Sequence, residues 1–372
     1  MRNPHSRLVK SDLCSMILLS VCCTALVMFL SACSAGLSVQ RESQKVENDT
    51  LAVSYSILFI IHGDSDYLYH DTAGNKYIAD EEALAGAKRV AEENPLAEVF
   101  IFHQKPTSHF LFFFPLRDGE FYYYRNGRLI ANELYWRDQE QSNLDTEVEF
   151  YNSFRAESQP GIVSMFFYFG HEIPEFAGAG YDASYPDRKF TVHDLASGLK
   201  DFTSDSTKFD LLVLSTCYGG TPYTIGMLGS YTRTIIASPD NLHLSYFDLN
   251  SLDSLEISLH DEDIPAFANR FAQQSFDQLI RDIQTTVSVA VYDVDRIQEY
   301  LHSVYTTYES TLNTLNEKTQ ASLSTIEHCD CADIPVYVLP TMNRGVNVFY
   351  RPAIFGRSKS KQNHSGWECW KD

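Results

Sequence analysis

The segment FDLLVLSTCYGG (209–220) joins an unbroken apolar run to a cysteine and a pair of glycines. Apolar runs without alternation are typical of strands that are buried on both faces, as in a parallel sheet. Similar runs occur at 54–61, 97–103, 161–169, 233–238 and 287–293. Helical patterns lie between them, at 80–94, 143–158, 191–202, 263–283 and 293–315, with Asp80 predicted to cap the first. This alternation predicts an α/β fold in which helices cover both faces of a parallel sheet.

The composition is that of a folded chain with an acidic surface. Of its 372 residues, 44% are hydrophobic and 21% are charged, and the formal net charge is -20. Disordered chains contain fewer apolar residues than this. The charge argues against nucleic acid as a partner, because binding to phosphate requires a positive face. The length accommodates one large domain or two modest ones.

The first residues have the pattern of a targeting segment. Three basic residues precede an uncharged, mostly apolar run at 13–30, and the motif LSAC (30–33) follows. This order predicts a secretory signal, and an uncleaved membrane helix is the alternative because the run is almost long enough to span a bilayer. The motif resembles the lipobox of bacterial lipoproteins, which implies lipid on Cys33 and attachment to the membrane. Ser34 then resembles an outer-membrane signal in a host with two membranes.

The chain is thus predicted to have four parts. Residues 1–32 are a lipoprotein signal peptide, 33–53 a polar tether, 54–345 the folded domain, and 346–372 a C-terminal tail. The tail is basic and weakly patterned, and an edge hairpin followed by an exposed end is expected there.

Five cysteines remain after cleavage of the signal peptide: Cys33, Cys217, Cys329, Cys331 and Cys369. In an oxidising compartment, the last three supply one disulfide and one further thiol, in a pairing that the sequence leaves open. The motif HCDC (328–331) offers two sulfurs and one imidazole without a second cluster, which is weak evidence for zinc. We expect neither a metal nor a cofactor.

The segment HFLFFFPLRDGEFYYYRNG (109–127) contains two aromatic runs. The triplet Arg117-Asp118-Gly119 between them predicts a β-hairpin turn. Aromatic runs sometimes form a binding platform, but they more often pack as the faces of a hairpin. We expect packed faces for both runs.

Three predicted strand ends carry reactive side chains: His62 before Gly63, His171 after Gly170, and Cys217 after Thr216. Sites in open parallel sheets lie beyond the carboxyl ends of the strands. One crossover separates the strand of His171 from that of Cys217, so the two strands are expected to be adjacent or nearly so. A thiol and an imidazole placed there form a nucleophile–base pair. From spacing alone, a buried structural cysteine and a histidine that bonds a loop carbonyl remain the alternative.

This ordered set of motifs resembles the clostripain-like cysteine peptidases, which are relatives of caspases, legumains and gingipains. In that family one apolar strand ends in His, and a later one ends in a small residue and Cys, as in MFFYFGH (165–171) and LLVLSTC (211–217). The segment YTRTIIASPDN (231–241) resembles the family's next strand, with its Ala237-Ser238 pair. The resemblance covers about residues 55–318 and implies a caspase-like three-layer α/β/α sandwich with a mostly parallel sheet.

The resemblance also implies roles for individual residues. Cys217 would be the nucleophile and His171 the general base and acid, acting on a peptide or protein substrate. The backbone N–H of Cys217 and the amide after His171 would hold the oxyanion. Thr216 would line the pocket, and His62 would be a pocket wall or an accessory group.

Three positions depart from the family pattern. Glu172 stands where the family has Gly directly after the His, so it would crowd or reshape the oxyanion site. Ser215 replaces the Asp that precedes the cysteine by two residues in members that cleave after basic residues. A second acidic position of those members falls near Leu244. Selectivity for Arg or Lys is therefore expected to be lost, although Asp240 lies close enough to substitute.

We predict a lipid-anchored cysteine endopeptidase of the bacterial cell envelope that uses a Cys/His dyad and is not strictly specific for Arg or Lys. A catalytically inactive lipoprotein of the same fold, which binds peptides or envelope components, is the alternative. An esterase of the α/β-hydrolase type is disfavoured, because no G-x-S-x-G-like elbow surrounds Cys217.

Overall fold

A computed structural model of the chain describes residues 52–63, 68–70, 74–111, 113–137, 143–155, 161–176, 181–203, 207–242, 247–253, 255, 263–314, 329–333, 345–356 and 360–369. The predicted signal peptide, Cys33 and the tether up to residue 51 lie outside these residues. In the described part of the chain, no helix is both long enough and apolar enough to cross a bilayer.

The described strands and helices follow the alternation that the sequence predicts. The strands are β1 (Tyr55–His62), β2 (Leu68–His70), β3 (Lys76–Ile78), β4 (Ala97–Gln104), β5 (His109–Phe110), β6 (Phe114–Pro115), β7 (Gly119–Arg125), β8 (Arg128–Tyr135), β9 (Val163–Phe169), β10 (Phe209–Ser215), β11 (Thr232–Ala237), β12 (Val287–Asp293), β13 (Cys329–Asp330), β14 (Val346–Arg351) and β15 (Glu368–Cys369). The helices are α1 (Ala79–Glu93), α2 (Asp145–Phe154), α3 (Val192–Phe202), α4 (Pro222–Leu228), α5 (Ile264–Asp282) and α6 (Val294–Thr314), with 3-10 turns at Asn250–Leu252 and Cys331–Asp333.

Nine strands form one sheet in the order β14-β12-β11-β10-β9-β1-β4-β7-β8. The central strands from β11 to β4 are parallel to one another. The flanking strands β12, β14, β7 and β8 pair in the antiparallel sense. Because the five central strands share one direction, their carboxyl ends meet at the same edge of the sheet.

Each face of the sheet packs against its own set of helices. In β1, Leu58 and Ile60 belong to the core under α3, α4 and α6, whereas Ile57, Phe59 and Ile61 belong to the core under α1 and α5. This alternation follows from the period of two along a strand. The structure confirms the predicted α/β fold, with a mostly parallel sheet between two helical layers.

The hairpin predicted at Arg117–Gly119 turns elsewhere. Strand β7 starts at Gly119, and the tight turn between β7 and β8 lies at Asn126 and Gly127. Both residues have positive φ, 53° and 72°. Such a turn matches the twist of an antiparallel pair, and Asn-Gly is the sequence best suited to it. The Asn-Gly pair was therefore the correct turn signal in this segment.

The two aromatic runs have opposite environments. Phe121, Tyr122, Tyr123 and Tyr124 of β7 are buried, as predicted for packed faces. In the first run, Phe110, Phe113 and Phe114 are exposed, so the prediction is wrong there. The reason is their position: β5 and β6 pair only with each other in a small two-stranded sheet, not with the nine-stranded sheet.

The segment at 346–372, predicted as a tail, contributes an edge strand and a buried anchor. Strand β14 pairs with β12 at the edge of the main sheet. Trp367 is fully buried, where its ring packs against Tyr292 at 4.8 Å and Tyr300 at 5.4 Å between ring centroids. The described end of the chain is thus built into the core.

Helix α1 begins without the predicted Asp80 cap. Its N-cap position is Ile78, and no side-chain hydrogen bond caps the helix. Asp80 is instead buried in the first turn, with its Oδ2 atom 2.8 Å from Nε2 of His103. A Cβ at Gly63 would lie 2.2 Å from that same oxygen, so the residue after β1 has to be glycine.

Candidate active site

The carboxyl ends of β9 and β10 bring His171 and Cys217 to neighbouring positions. Phe169 pairs with Ser215 in the parallel register, and the N–H of Gly170 donates to the Ser215 carbonyl over 3.4 Å. His171 and Cys217 each follow two residues after that pair. Because paired strands lie about 4.8 Å apart, the two backbones leave the sheet from adjacent points.

Cys217 is a half-buried thiol that is not part of a disulfide. Its side chain packs against the core on the α1 and α5 side, and Sγ donates to Oδ1 of Asn241 over 3.3 Å. A partly exposed thiol can reach an electrophile, whereas a fully buried one is inert. Cys217 is therefore not a sealed structural cysteine.

The loop after Cys217 is held in a strained conformation against the loop after β11. Tyr218 has a φ of 50°, in the left-handed region that residues other than glycine seldom occupy. The Tyr218 N–H donates to the Asp240 carbonyl over 3.2 Å, and the Gly220 N–H donates to the Ser238 carbonyl over 3.1 Å. A Cβ at Gly220 would lie 2.4 Å from the hydroxyl of Tyr292, so this position requires glycine. Strain of this kind concentrates at functional sites and needs such surrounding contacts.

Tyr218 reports the electrostatics around the thiol. Burial is the main cause that raises the pKa of the Tyr218 phenol to about 12. Negative charge on Cys217, Asp240 and Glu172 raises it too, whereas a hydrogen bond from Asn241 opposes the rise. The phenol therefore stays protonated at neutral pH. The carboxylates of Asp240 and Glu172 therefore lie near enough to Tyr218 to influence its charge state.

The segment that follows His171 is fixed to helix α4. His171 and Glu172 are half-buried, and the buried Glu175 accepts hydrogen bonds from the hydroxyls of Thr221 and Thr224. Thr221 also caps α4, because its side chain accepts from the N–H of Thr224 over 3.0 Å. Since α4 begins just after the cysteine loop, these bonds tie the two sides of the candidate site together.

Ser215 and Thr216 are buried at the end of β10. The Ser215 hydroxyl accepts a hydrogen bond from the N–H of Phe247 over 3.0 Å. Thr216 is only 2% exposed, and a Cβ at Gly219 would lie 3.2 Å from its hydroxyl. The position at which some family members carry a carboxylate is thus occupied by a hydroxyl that is bonded to the backbone.

His62, predicted as a pocket wall, lies buried beneath the strand ends. Its Nδ1 atom is 2.9 Å from Oε1 of Gln104, its Nε2 atom is 4.0 Å from Oδ2 of Asp182, and its ring stacks on Tyr181 at 4.6 Å. A Cβ at Gly170 would lie 3.0 Å from the His62 Cβ, which places this histidine directly beside the start of the His171 segment.

Asp182 extends this arrangement into a buried ionic network. Arg137 Nη1 is 2.9 Å from Asp182 Oδ2, and Arg137 Nε is 3.4 Å from Asp118 Oδ2. Tyr185 donates to the same Asp118 oxygen. Burial alone would lower the pKa of Arg137, but Asp182 and Asp118 outweigh burial and raise it. The network fixes the loop that begins at residue 181, close to the strand ends.

Asp240 faces the C-terminal segment. Its Oδ2 atom is 3.6 Å from Nε2 of His364, and His364 Nδ1 accepts from the N–H of Gly366 over 2.9 Å. The neighbouring N–H of Glu368 donates to the Gly220 carbonyl over 2.9 Å. The C-terminal segment 364–368 therefore contacts both the loop after Cys217 and the loop after β11.

The structure also locates part of the HCDC motif. Cys331 is disulfide-bonded, whereas His328 lies outside the described residues. Among the residues that the structure describes, no group of three or more His, Cys, Asp or Glu side chains is arranged to hold a metal ion.

Comparisons with known proteins find similarity to solved structures but no match in sequence. No protein-family model matches the chain, and no curated protein does. The inactive zymogen of a C11 protease from Parabacteroides distasonis is 13% identical, with a TM-score of 0.50, over 80% of this chain and 75% of that one. A secreted C11 cysteine protease from Bacteroides thetaiotaomicron, solved with an irreversible peptide inhibitor, is 11% identical, with a TM-score of 0.49, over 71% of each chain. A second structure of a secreted C11 protease from that organism, called iotapain, is 12% identical, with a TM-score of 0.48, over 74% and 75% of the chains.

At these identities the likeness establishes the fold and nothing finer. The match to the Parabacteroides structure extends over most of both chains. It agrees with the resemblance that the histidine and cysteine strands suggested. The chain therefore has the fold of the C11, or clostripain-like, cysteine proteases.

Proposed function

We propose that this chain is a cysteine peptidase of the clostripain-like type, with Cys217 as nucleophile and His171 as general base and acid. The main support is the register of β9 and β10, in which Phe169 pairs with Ser215 two residues before His171 and Cys217. The second support is that Cys217 is half-buried and not part of a disulfide, because the reaction needs a reduced thiol that a substrate can reach.

The proposed reaction has two stages. The imidazole of His171 takes the thiol proton, the sulfur attacks the peptide carbonyl carbon, and a C–S bond forms. His171 then gives the proton to the leaving nitrogen as the C–N bond breaks. Water, deprotonated by His171, attacks the thioester, and the carboxylic acid leaves as the thiol is restored.

Backbone amides supply the oxyanion site in this proposal. The N–H groups of Cys217 and Glu172 are the two donors, and each such donor contributes about 3 kcal/mol to the transition state. The tied segments on both sides, through Glu175 and through Tyr218, support fixed positions for these amides. Preorganised donors need no rearrangement during the reaction.

We further propose that cleavage is not restricted to sites after Arg or Lys. A basic side chain in a buried pocket requires a counter-charge, and Ser215 supplies only a hydroxyl that Phe247 already engages. Asp240 is partly committed to His364. The proposed location is the bacterial cell envelope, with a lipid anchor on Cys33.

Labelling and cleavage test the peptidase assignment together. The purified full chain is treated with a thiol-reactive peptide ketone and, separately, with a peptide library. We expect Cys217→Ala to abolish labelling and to reduce cleavage at least about a thousandfold. His193→Ala, which changes an exposed histidine on α3, is the matched control and should retain activity.

Two outcomes would contradict the proposal. Cleavage by Cys217→Ala at the wild-type rate would remove the nucleophile assignment. Binding of library peptides without any cleavage, in a wild-type protein whose Cys217 is labelled, would instead identify the inactive peptide-binding lipoprotein.

A further inference from the structure

A short hairpin beyond β4 presents apolar side chains to solvent. This aromatic hairpin (108–116) contains β5 and β6, and its base closes through the N–H of Leu116, which donates to the Ser108 carbonyl over 2.9 Å. Its exposed apolar residues are Phe110, Leu111, Phe113, Phe114 and Leu116, with exposures from 48% to 82%. Phe113, at 82%, is the most exposed of the chain's large hydrophobic side chains in the described residues.

The turn of the aromatic hairpin is built against ordinary turn chemistry. The N–H of Phe113 donates to the Phe110 carbonyl over 3.3 Å, which closes the turn, and Leu111 has a φ of 50°. Tight turns with positive φ favour Gly, Asn and Asp, since a bulky side chain is strained there. Both solvation and backbone preference thus oppose apolar residues at this turn, so their presence indicates a binding role.

Exposed apolar side chains also occur at the end of the edge strand β8. Arg117 Nη1 donates to the Leu134 carbonyl over 2.7 Å, which joins the base of the hairpin to the end of β8. Leu134 and Trp136 are themselves about half exposed. Several exposed apolar side chains on segments joined in this way mark an interaction site.

The charge around the aromatic hairpin differs from that of the whole chain. Residues 105–117 include Lys105, His109 and Arg117 but no Asp or Glu, in a chain with a net charge of -20. Lys105 is paired with Glu120, whereas Arg117 is exposed. An aromatic turn that itself carries no carboxylate and is flanked by the exposed Arg117 is suited to the interface of an anionic bilayer.

We propose that the aromatic hairpin inserts its tip into the surface of a phospholipid bilayer. The predicted anchor agrees with this partner, because the 18 residues between Cys33 and residue 52 span at most about 60 Å when extended. A lipidated chain is thus confined near the membrane. The hairpin follows the carboxyl end of β4, so its insertion would turn the edge that carries the candidate active site toward the lipid. The proposal does not depend on proteolysis.

Vesicle binding by the unlipidated protein tests the hairpin alone. Residues 50–372 form one compact unit, so this part is purified and sedimented with vesicles of equal parts phosphatidylcholine and phosphatidylglycerol. We expect binding, and we expect the double variant Phe113→Ser, Phe114→Ser to bind at least about tenfold more weakly. Phe355→Ser is the matched control, because Phe355 is 59% exposed elsewhere on the surface and should not affect binding.

A second measurement locates the tip. In a Phe113→Trp variant, tryptophan emission should shift to the blue on vesicle addition and be quenched by brominated acyl chains. Absence of wild-type binding, or equal binding by the double variant, would overturn the proposal. Self-association without lipid that the double variant abolishes would also overturn it, because a second copy would then be the occupant.

Discussion

His62 and His171 end neighbouring strands of one sheet, yet the structure gives them opposite environments. Ile61 pairs with Phe169, so His62 is level with Gly170 and His171 lies one residue further along. At its level, His62 is still inside the sheet, bonded to Gln104 and fully buried. One more residue carries His171 past the last paired position and into a half-buried place, next to the strand end that Cys217 follows. A single step in register therefore separates a structural histidine from a candidate catalytic one.

Replacing each of the two histidines by alanine should give the largest effects, one on catalysis and the other on stability. We expect His171→Ala to lower kcat by about a hundredfold to ten-thousandfold with little change in the free energy of unfolding, because a general base is lost from a half-buried position. His62→Ala should keep kcat within several-fold but destabilise the fold by about 2 kcal/mol, since it removes a buried hydrogen bond and a stacked ring. Steady-state kinetics and urea unfolding on both variants measure the difference.

The reverse pattern would break the comparison. If His62→Ala lost activity while its unfolding curve matched the wild type, His62 would be the base, and His171 would become the accessory residue.

Removing Asp182 should show what holds His62 in its buried place. Asp182 is fully buried, 2.9 Å from Arg137 and 4.0 Å from His62. Asp182→Ala leaves the buried guanidinium without this partner, which we expect to cost about 3–5 kcal/mol in unfolding free energy. Urea unfolding measures the loss, with Asp277→Ala on the exposed face of α5 as the control. A loss under 1 kcal/mol on the same scale would mean that the network does not stabilise this edge.

The sequence predicted the parts of this edge that depend on local pattern. Apolar runs gave the parallel strands, and the crossover rule gave the adjacency of the strands that carry His171 and Cys217. The sequence did not reveal Asn241 or Glu175, because each acts through a contact between loops distant along the chain. For Asn241, the only signal was a polar residue shortly after a predicted strand end, which is too common to select it.

Aromatic composition alone likewise did not determine which of the two aromatic runs is buried. The runs at 109–114 and 121–124 have the same character, but only the second pairs with the central sheet. Burial was decided by strand pairing, a long-range property. The Asn-Gly turn at 126–127, by contrast, is a local signal, and it could have been read correctly beforehand.

Asn241 should contribute a smaller effect on the reactive side of the comparison. Its Oδ1 atom accepts the Cys217 thiol proton over 3.3 Å, which orients the sulfur. We expect Asn241→Ala to reduce kcat by about tenfold with KM unchanged, because the sulfur is no longer oriented, but to speed alkylation by iodoacetamide, because the protonated thiol loses its acceptor. Asn241→Asp should instead slow alkylation, because a carboxylate beside the sulfur disfavours the thiolate. Equal alkylation rates in all three proteins would remove this role.

A third strand-end histidine, His103 of β4, extends the comparison to pH. Burial alone would lower its pKa, but hydrogen bonds with Asp80 and Glu120 outweigh burial, and the pKa is raised above 6.5. The folded state thus binds the proton more tightly than the unfolded state. The resulting stabilisation is complete below the unfolded pKa of about 6.5 and is lost as the pH rises through the folded pKa.

His103→Gln should remove that dependence. The free energy of unfolding of the wild type should fall across this window, while that of the variant stays flatter, and the two curves should converge at high pH. The matched change His193→Gln, on an exposed histidine, should leave the slope unaltered. If the wild type and His103→Gln had the same slope, the proton on His103 would not stabilise the fold.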